Sequence, residues 1–208
     1  GGNFLFAGTL VEAAETPLWD IPMPDEDFEA QLHGFTWLDD LFAVGDAQAT
    51  HLAQDWTHDW IRRFGRGSGA GWTPDLTGRR LIRWINHAIS LLNGQDKAAS
   101  QAYFRSLGRQ VIFLSRRWKS ASPGLPRFEA LTGLIYAGIA LSGMDGQVSA
   151  AARALDEECG REIDPTGALV TRNPEELLEV FTLLNWAADA LRDAGRSPGQ
   201  KHLAAIAN

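Results

Sequence analysis

At 208 residues, 45% of them hydrophobic, the chain fits one domain with a sizeable buried core. No apolar run approaches the length of a membrane span, and Gly1-Gly2-Asn3-Phe4 has neither the positive region nor the cleavage pattern of a signal peptide, so neither feature is expected. The single Cys159 excludes an internal disulfide and leaves the compartment open.

The net charge of −7 hides a strong asymmetry. Residues 1–61 hold 12 acids and no Lys or Arg, residues 62–119 hold 12 Lys and Arg against 2 acids, and residues 120–208 hold 7 basic and 12 acidic residues. Such blocks imply that the acidic front docks on the basic middle, or that the middle offers a basic surface to an anionic ligand. The two are compatible.

Residues 1–24, with Pro17, Pro22 and Pro24 around Trp19, read as an irregular lead-in. Phe4, Phe6 and Val11 allow a short strand or hairpin there. A first helix is expected from Asp25 to Val44, with acids at its positive end and Gly34 as a kink or a point of close contact. Gly45 ends it, and Asp46 caps a second helix reaching Phe64. The glycine-rich run 65–71 lacks the Lys-Ser/Thr of a phosphate-binding loop and reads as a connector. Thr73-Pro74-Asp75 opens a third helix carrying Leu81, Trp84, Ile85, Ala88 and Leu92 on one side.

The fourth helix shows Phe104, Leu107, Val111, Leu114 and Trp118 at spacings of 3 and 4, an apolar stripe. The fifth, from Pro126 to Leu141, is apolar nearly all round and belongs mid-domain, with Gly133 and Gly138 letting neighbours approach. A sixth follows Gly146. Residues 163–172 read as a loop or short hairpin. Asn173-Pro174-Glu175-Glu176 opens a seventh helix ending at Gly195, and a last helix follows Ser197-Pro198. Short connections imply antiparallel helical hairpins, an all-α fold.

Few residues suggest chemistry. His51, Asp55 and His58 share a helix face at metal-ligand spacing, but no third strong ligand is near, and a solvated polar face is the plain reading. No cofactor motif is present. A histidine side chain commonly titrates near neutrality, which makes His33 and His87 candidate bases. Trp72, beside the glycine loop, is placed to stack on a sugar or to pack the loop. Arg79, Arg80 and Arg83 flank a core stripe, while Arg127 and Arg172 stand at helix starts, where free backbone N–H groups also meet anions.

The segments Leu32-His33-Gly34-Phe35-Thr36-Trp37-Leu38, Trp72-Thr73-Pro74, Gly78-Arg79-Arg80-Leu81 with Trp84-Ile85, Gly124-Leu125-Pro126-Arg127 with Glu129-Ala130, and Thr171-Arg172-Asn173-Pro174-Glu175 resemble the N-terminal helical domain of heparinase II/III-like proteins. The resemblance implies an incomplete (α/α) toroid over residues 25–208, followed in a longer bacterial protein, periplasmic or cytoplasmic, by a β-sandwich domain. It also implies a polysaccharide lyase that binds an anionic, uronic-acid-containing polysaccharide for β-elimination. Arg79, Arg80, Arg83, Arg127, Arg172, Asn173, Trp72 and His33 would then be the substrate contacts. The family's Tyr, Asn and His have no counterpart at the matching positions, so this chain alone is expected to show no turnover. A non-catalytic helical scaffold or interaction domain is the alternative. A membrane is not expected as a partner, and the overall acidity argues against nucleic acid.

Overall fold

The structure is a computed structural model that describes residues 3–6, 9–12, 16–170 and 173–207. Strands β1 (Asn3–Phe6) and β2 (Thr9–Glu12) pair antiparallel, Phe4 opposite Val11. A 3-10 turn, Leu18–Asp20, then buries Leu18 and Trp19. Among the described residues ten helices follow: α1 (Glu26–Gly34), α2 (Trp37–Val44), α3 (Ala47–Phe64), α4 (Pro74–Asn86), α5 (Ala88–Leu92), α6 (Lys97–Arg117), α7 (Leu125–Ala140), α8 (Asp145–Glu162), α9 (Pro174–Asp193) and α10 (Gln200–Ala207). The fold of the described residues is all-α apart from the hairpin.

Side-chain caps open four of these helices, α1, α3, α6 and α9. Asp25, Asp46 and Asp96 each accept a hydrogen bond from the backbone N–H three residues on, and Asn173 accepts one from Glu175. Two expected helices are each broken in two. The first stops at Gly34 because Phe35 takes a left-handed conformation, φ 62°, that only packing can hold in a non-glycine residue. Its ring is fully buried, stacked near Trp37 and Trp19, and Trp37 Nε1 donates back to Leu32 O at 3.0 Å. The third breaks at His87, between α4 and α5.

Helix α7 lies in the middle, against α4, α6, α8 and α9. It touches α4 backbone to backbone. A Cβ on Gly133 would lie 2.4 Å from Gly78 Cα, and one on Gly78 would lie 2.3 Å from Glu129 O. Gly138 makes room for the Val148 side chain of α8, whose Cγ2 would lie 2.6 Å from a Cβ there.

The stripe of α6 differs from expectation at one end. Tyr103, Leu107, Gln110, Val111 and Leu114 face inward, while Phe104 is 51% exposed. Tyr103 takes the inner position because its ring stacks on Trp84 and its hydroxyl donates to Trp84 O at 2.7 Å.

Candidate functional site

A cleft of about 810 Å³ opens where α1, α4, α7 and α9 meet. Arg79 and Glu129 form its floor. The guanidinium grips the carboxylate with both edges, Nε to Oε2 at 3.1 Å and Nη2 to Oε1 at 3.0 Å. Glu129 is almost wholly buried, and burial lifts its carboxyl to about 7 although Arg79 pulls the other way. Arg83 rises beside it, bonded to Asp39 at 3.3 Å and lying 5.6 Å from the Trp186 ring centre. Asp39 is also bonded to His87 Nε2 at 2.7 Å. Burial raises the Asp39 pKa, but the bonds and charges of His87 and Arg83 outweigh it and hold the carboxyl below its ordinary range.

Both cleft arginines are therefore already engaged by carboxylates of the chain. The charged lining, Arg79 and Arg83 against Asp27, Glu129 and Glu179, carries no excess of positive charge for an anion to seek. The acidic front does dock on the basic middle: Arg83 meets Asp39, and Arg63 meets Asp20 with Nη2 to Oδ2 at 3.0 Å.

The other expected contacts lie elsewhere. Arg80 is fully buried, with Nε on Gln110, Nη1 on His33 O and Gly71 O at 2.9 and 3.0 Å, and Nη2 on Thr77. Its guanidinium carbon lies 4.2 Å from the Trp60 ring centre. Such a group is a core bracket, and no ligand reaches it. His33 is buried beside it and accepts from Trp60 Nε1 at 3.0 Å. Trp72 is half-buried, stacked on Trp60, and donates to Phe64 O. Arg127 turns away from its helix start to Lys119 O, Ala121 O and Glu158, tying the preceding turn to α8. Asn173 is exposed and spends its side-chain oxygen on the cap of α9. Arg172 lies outside the described residues.

Glu129 and Trp186 also line the cleft, and Asp39 holds Arg83 beside it; the sequence marks none of the three as a site residue in its own right. Glu129 had a signal: one acid inside a helix apolar on every side must be paired. Among the described residues no group of three His, Cys, Asp or Glu side chains is placed to hold a metal ion. Cys159 is buried, and burial pushes its thiol up to about 12, which leaves it unreactive at neutral pH. Tyr103 has its hydroxyl committed, and burial raises its pKa above the usual phenol range.

His33 predicts a pH effect. Burial, then the charge of Arg80, lowers its pKa to about 4, whereas an unfolded histidine titrates near 6.5. The unfolded chain thus binds a proton that the folded ring refuses. The stability held in the neutral ring is complete above about pH 6.5 and is lost as pH falls through about 4. Glu129 acts in the opposite sense, since its raised pKa costs stability as pH rises from its ordinary 4.5 to about 7. Comparison with His33→Gln isolates the histidine. Between pH 7 and pH 4 the wild type should lose up to about 3 kcal/mol more than the variant in urea unfolding, and equal losses would refute the assignment.

What the site defines is an all-helical domain with an ion-paired cleft and a buried arginine–tryptophan hub. No family model matches the chain, and no solved structure matches it. The chain is 31% identical over 198 residues to FtsZ-localized protein C of Caulobacter vibrioides (strain NA1000 / CB15N), a match covering 94% of this chain and 34% of that protein. The chain thus spans about a third of the length of the curated relative it matches. This finding overturns the expectation of a polysaccharide lyase domain that binds an anionic, uronic-acid-containing glycan: the relative is named for its place at FtsZ, and not as a lyase. The engaged cleft arginines give the physical counterpart of that correction.

Proposed function

We propose that this chain is a helical interaction domain of a bacterial protein positioned where FtsZ assembles, acting as a scaffold. The observation that carries this is the 31% identity, sustained over 94% of the chain, to a protein named for localisation with FtsZ. In the same reading residues 25–208 form one unit, an incomplete (α/α) toroid. Its support is α7, apolar on every side and wrapped by α4, α6, α8 and α9. The likeness of its motifs to the heparinase II/III-like helical domain is kept here as a likeness of architecture alone. A β-sandwich elsewhere in the natural protein belongs to the same proposal. The cleft between α1, α4, α7 and α9 serves shape and rigidity in this reading, because its charges are satisfied within the chain.

The test is imaging in cells. A fluorescent fusion of the natural protein containing this chain should coincide with labelled FtsZ and disperse when FtsZ is depleted. A fusion of this chain alone tells whether the helical domain suffices. Uniform fluorescence from the natural protein's fusion, with FtsZ structures intact, would overturn the reading.

A further inference from the structure

The outer face of α6 sets exposed apolar side chains beside arginines without carboxylate partners. Residues 97–128 contain no Asp or Glu. Along this face Phe104 and Ile112 stand 51% and 52% exposed, four residues to either side of Gly108. Arg105, Arg109 and Arg116 run beside them, all exposed. Among the described residues Arg105 and Arg116 have no hydrogen bond or ion pair, and Arg109 has only a long bond to Gly65 O at 3.5 Å. Elsewhere in the basic middle Arg62, Arg63, Arg79 and Arg83 are each paired with a carboxylate. The charges on α6 are left over.

Gly108 supplies a second, independent observation. A Cβ there would meet no atom within 4 Å. Nothing inside the fold needs the glycine, yet it sits mid-helix, where glycine costs about 1 kcal/mol relative to alanine. It makes a notch in an otherwise apolar ridge at i, i+4 and i+8, the row that seats against the groove of a second helix.

We propose that the outer face of α6 docks an acidic amphipathic helix of a partner protein, one side chain of which enters the notch over Gly108 between Phe104 and Ile112 while its carboxylates pair with Arg105, Arg109 and Arg116. The notch favours a helix over a lipid surface, because a fluid bilayer gains nothing from a missing side chain and would hold leucine there more strongly. It also favours protein over nucleic acid, since phosphates find no partner in the apolar row between the arginines. The inference goes beyond localisation with FtsZ and does not depend on it.

The experiment is site-specific photocrosslinking in cells, in the natural protein containing this chain, with benzoylphenylalanine at Ile112 and, as a control, at exposed Arg153 on α8. The expected result is a single protein adduct from position 112, absent from 153. By peptide mapping it lies in a helix with acids spaced three or four apart. Gly108→Leu and the triple reversal R105E/R109E/R116E should each cut the adduct at least tenfold. Circular dichroism of both variants should be unchanged, Gly108→Leu because leucine is the better helix former. No adduct above the control, an adduct to lipid or nucleic acid, a mapped segment without acids, or an adduct that survives Gly108→Leu would each overturn the proposal. Binding to phosphatidylglycerol vesicles that strengthens in Gly108→Leu would identify the face as lipid-directed instead.

Discussion

Arg80→Ala should lower the free energy of unfolding by about 3–5 kcal/mol, enough to leave much of the chain unfolded at ordinary temperature if its stability is typical. Arg80 is the one fully buried cation among the described residues, and no carboxylate answers it. Burial lowers its pKa to about 9, so at neutral pH the charge stays. Carbonyl oxygens of His33 and Gly71, Gln110 and the face of Trp60 stabilise it together. Truncation would open a cavity between Trp60 and Trp72 and take from the carbonyls of His33 and Gly71 the guanidinium they accept from. It would also untie three separate pieces of chain: the end of α1, the loop before α4, and α6. Arg80→Lys should restore little, because one ammonium cannot reach Gln110 on one edge and two carbonyls on the other. Urea midpoints of the two variants measure this. A loss under about 1 kcal/mol in Arg80→Ala, or full rescue by lysine, would show that packing and not the fork holds the hub.

Much of the helical order was legible because it rests on local chemistry. Asp46, Asn173-Pro174 and Thr73-Pro74 each mark a helix start, although the Thr73 hydroxyl itself has no bonding partner. The central place of α7 followed from its apolar circumference. What escaped was set by tertiary packing. Phe35 adopts φ 62° because rings around it hold it there, and no propensity announces that. Spacings of 3 and 4 accept residue 103 or 104 equally on the inner stripe of α6; the hydroxyl of Tyr103 and the Trp84 carbonyl decide against Phe104. The sequence alone does not announce that Arg80 is internal, because arginine is seldom buried whole. The functional expectation failed for a related reason. Trp72, Gly78, Arg80, Leu81 and Trp84, which carried much of the family resemblance, are residues the fold itself uses. A likeness in such residues speaks for architecture and is silent on the reaction.

Gly78→Ala and Gly133→Ala should each destabilise by about 2–4 kcal/mol, and the double variant should cost far less than twice that. The two glycines face each other where α4 crosses α7, the most extensively packed helix pair among the described residues. A methyl at Gly78 would sit 2.3 Å from Glu129 O and 2.7 Å from its carbonyl carbon, and one at Gly133 would sit 2.4 Å from Gly78 Cα. These neighbours are backbone, so no side chain can swing aside, and the whole helix must move. Separating α4 from α7 carries Arg79 away from Glu129, leaving a buried carboxylate poorly matched and widening the floor of the cleft. Once the helices stand apart, however, the second methyl enters space already opened. The double-variant cycle should therefore show a coupling of about 1–3 kcal/mol in the favourable sense. Gly143→Ala is not a fair comparison, since its φ of 82° adds backbone strain of its own. Gly108→Ala is fair: it is helical and open, and should stabilise slightly, by about 0.5–1 kcal/mol. Denaturant unfolding of the three single variants, Gly78→Ala, Gly133→Ala and Gly108→Ala, and the one double variant decides the matter. Strict additivity of Gly78→Ala and Gly133→Ala would mean that α4 and α7 do not meet at these two residues.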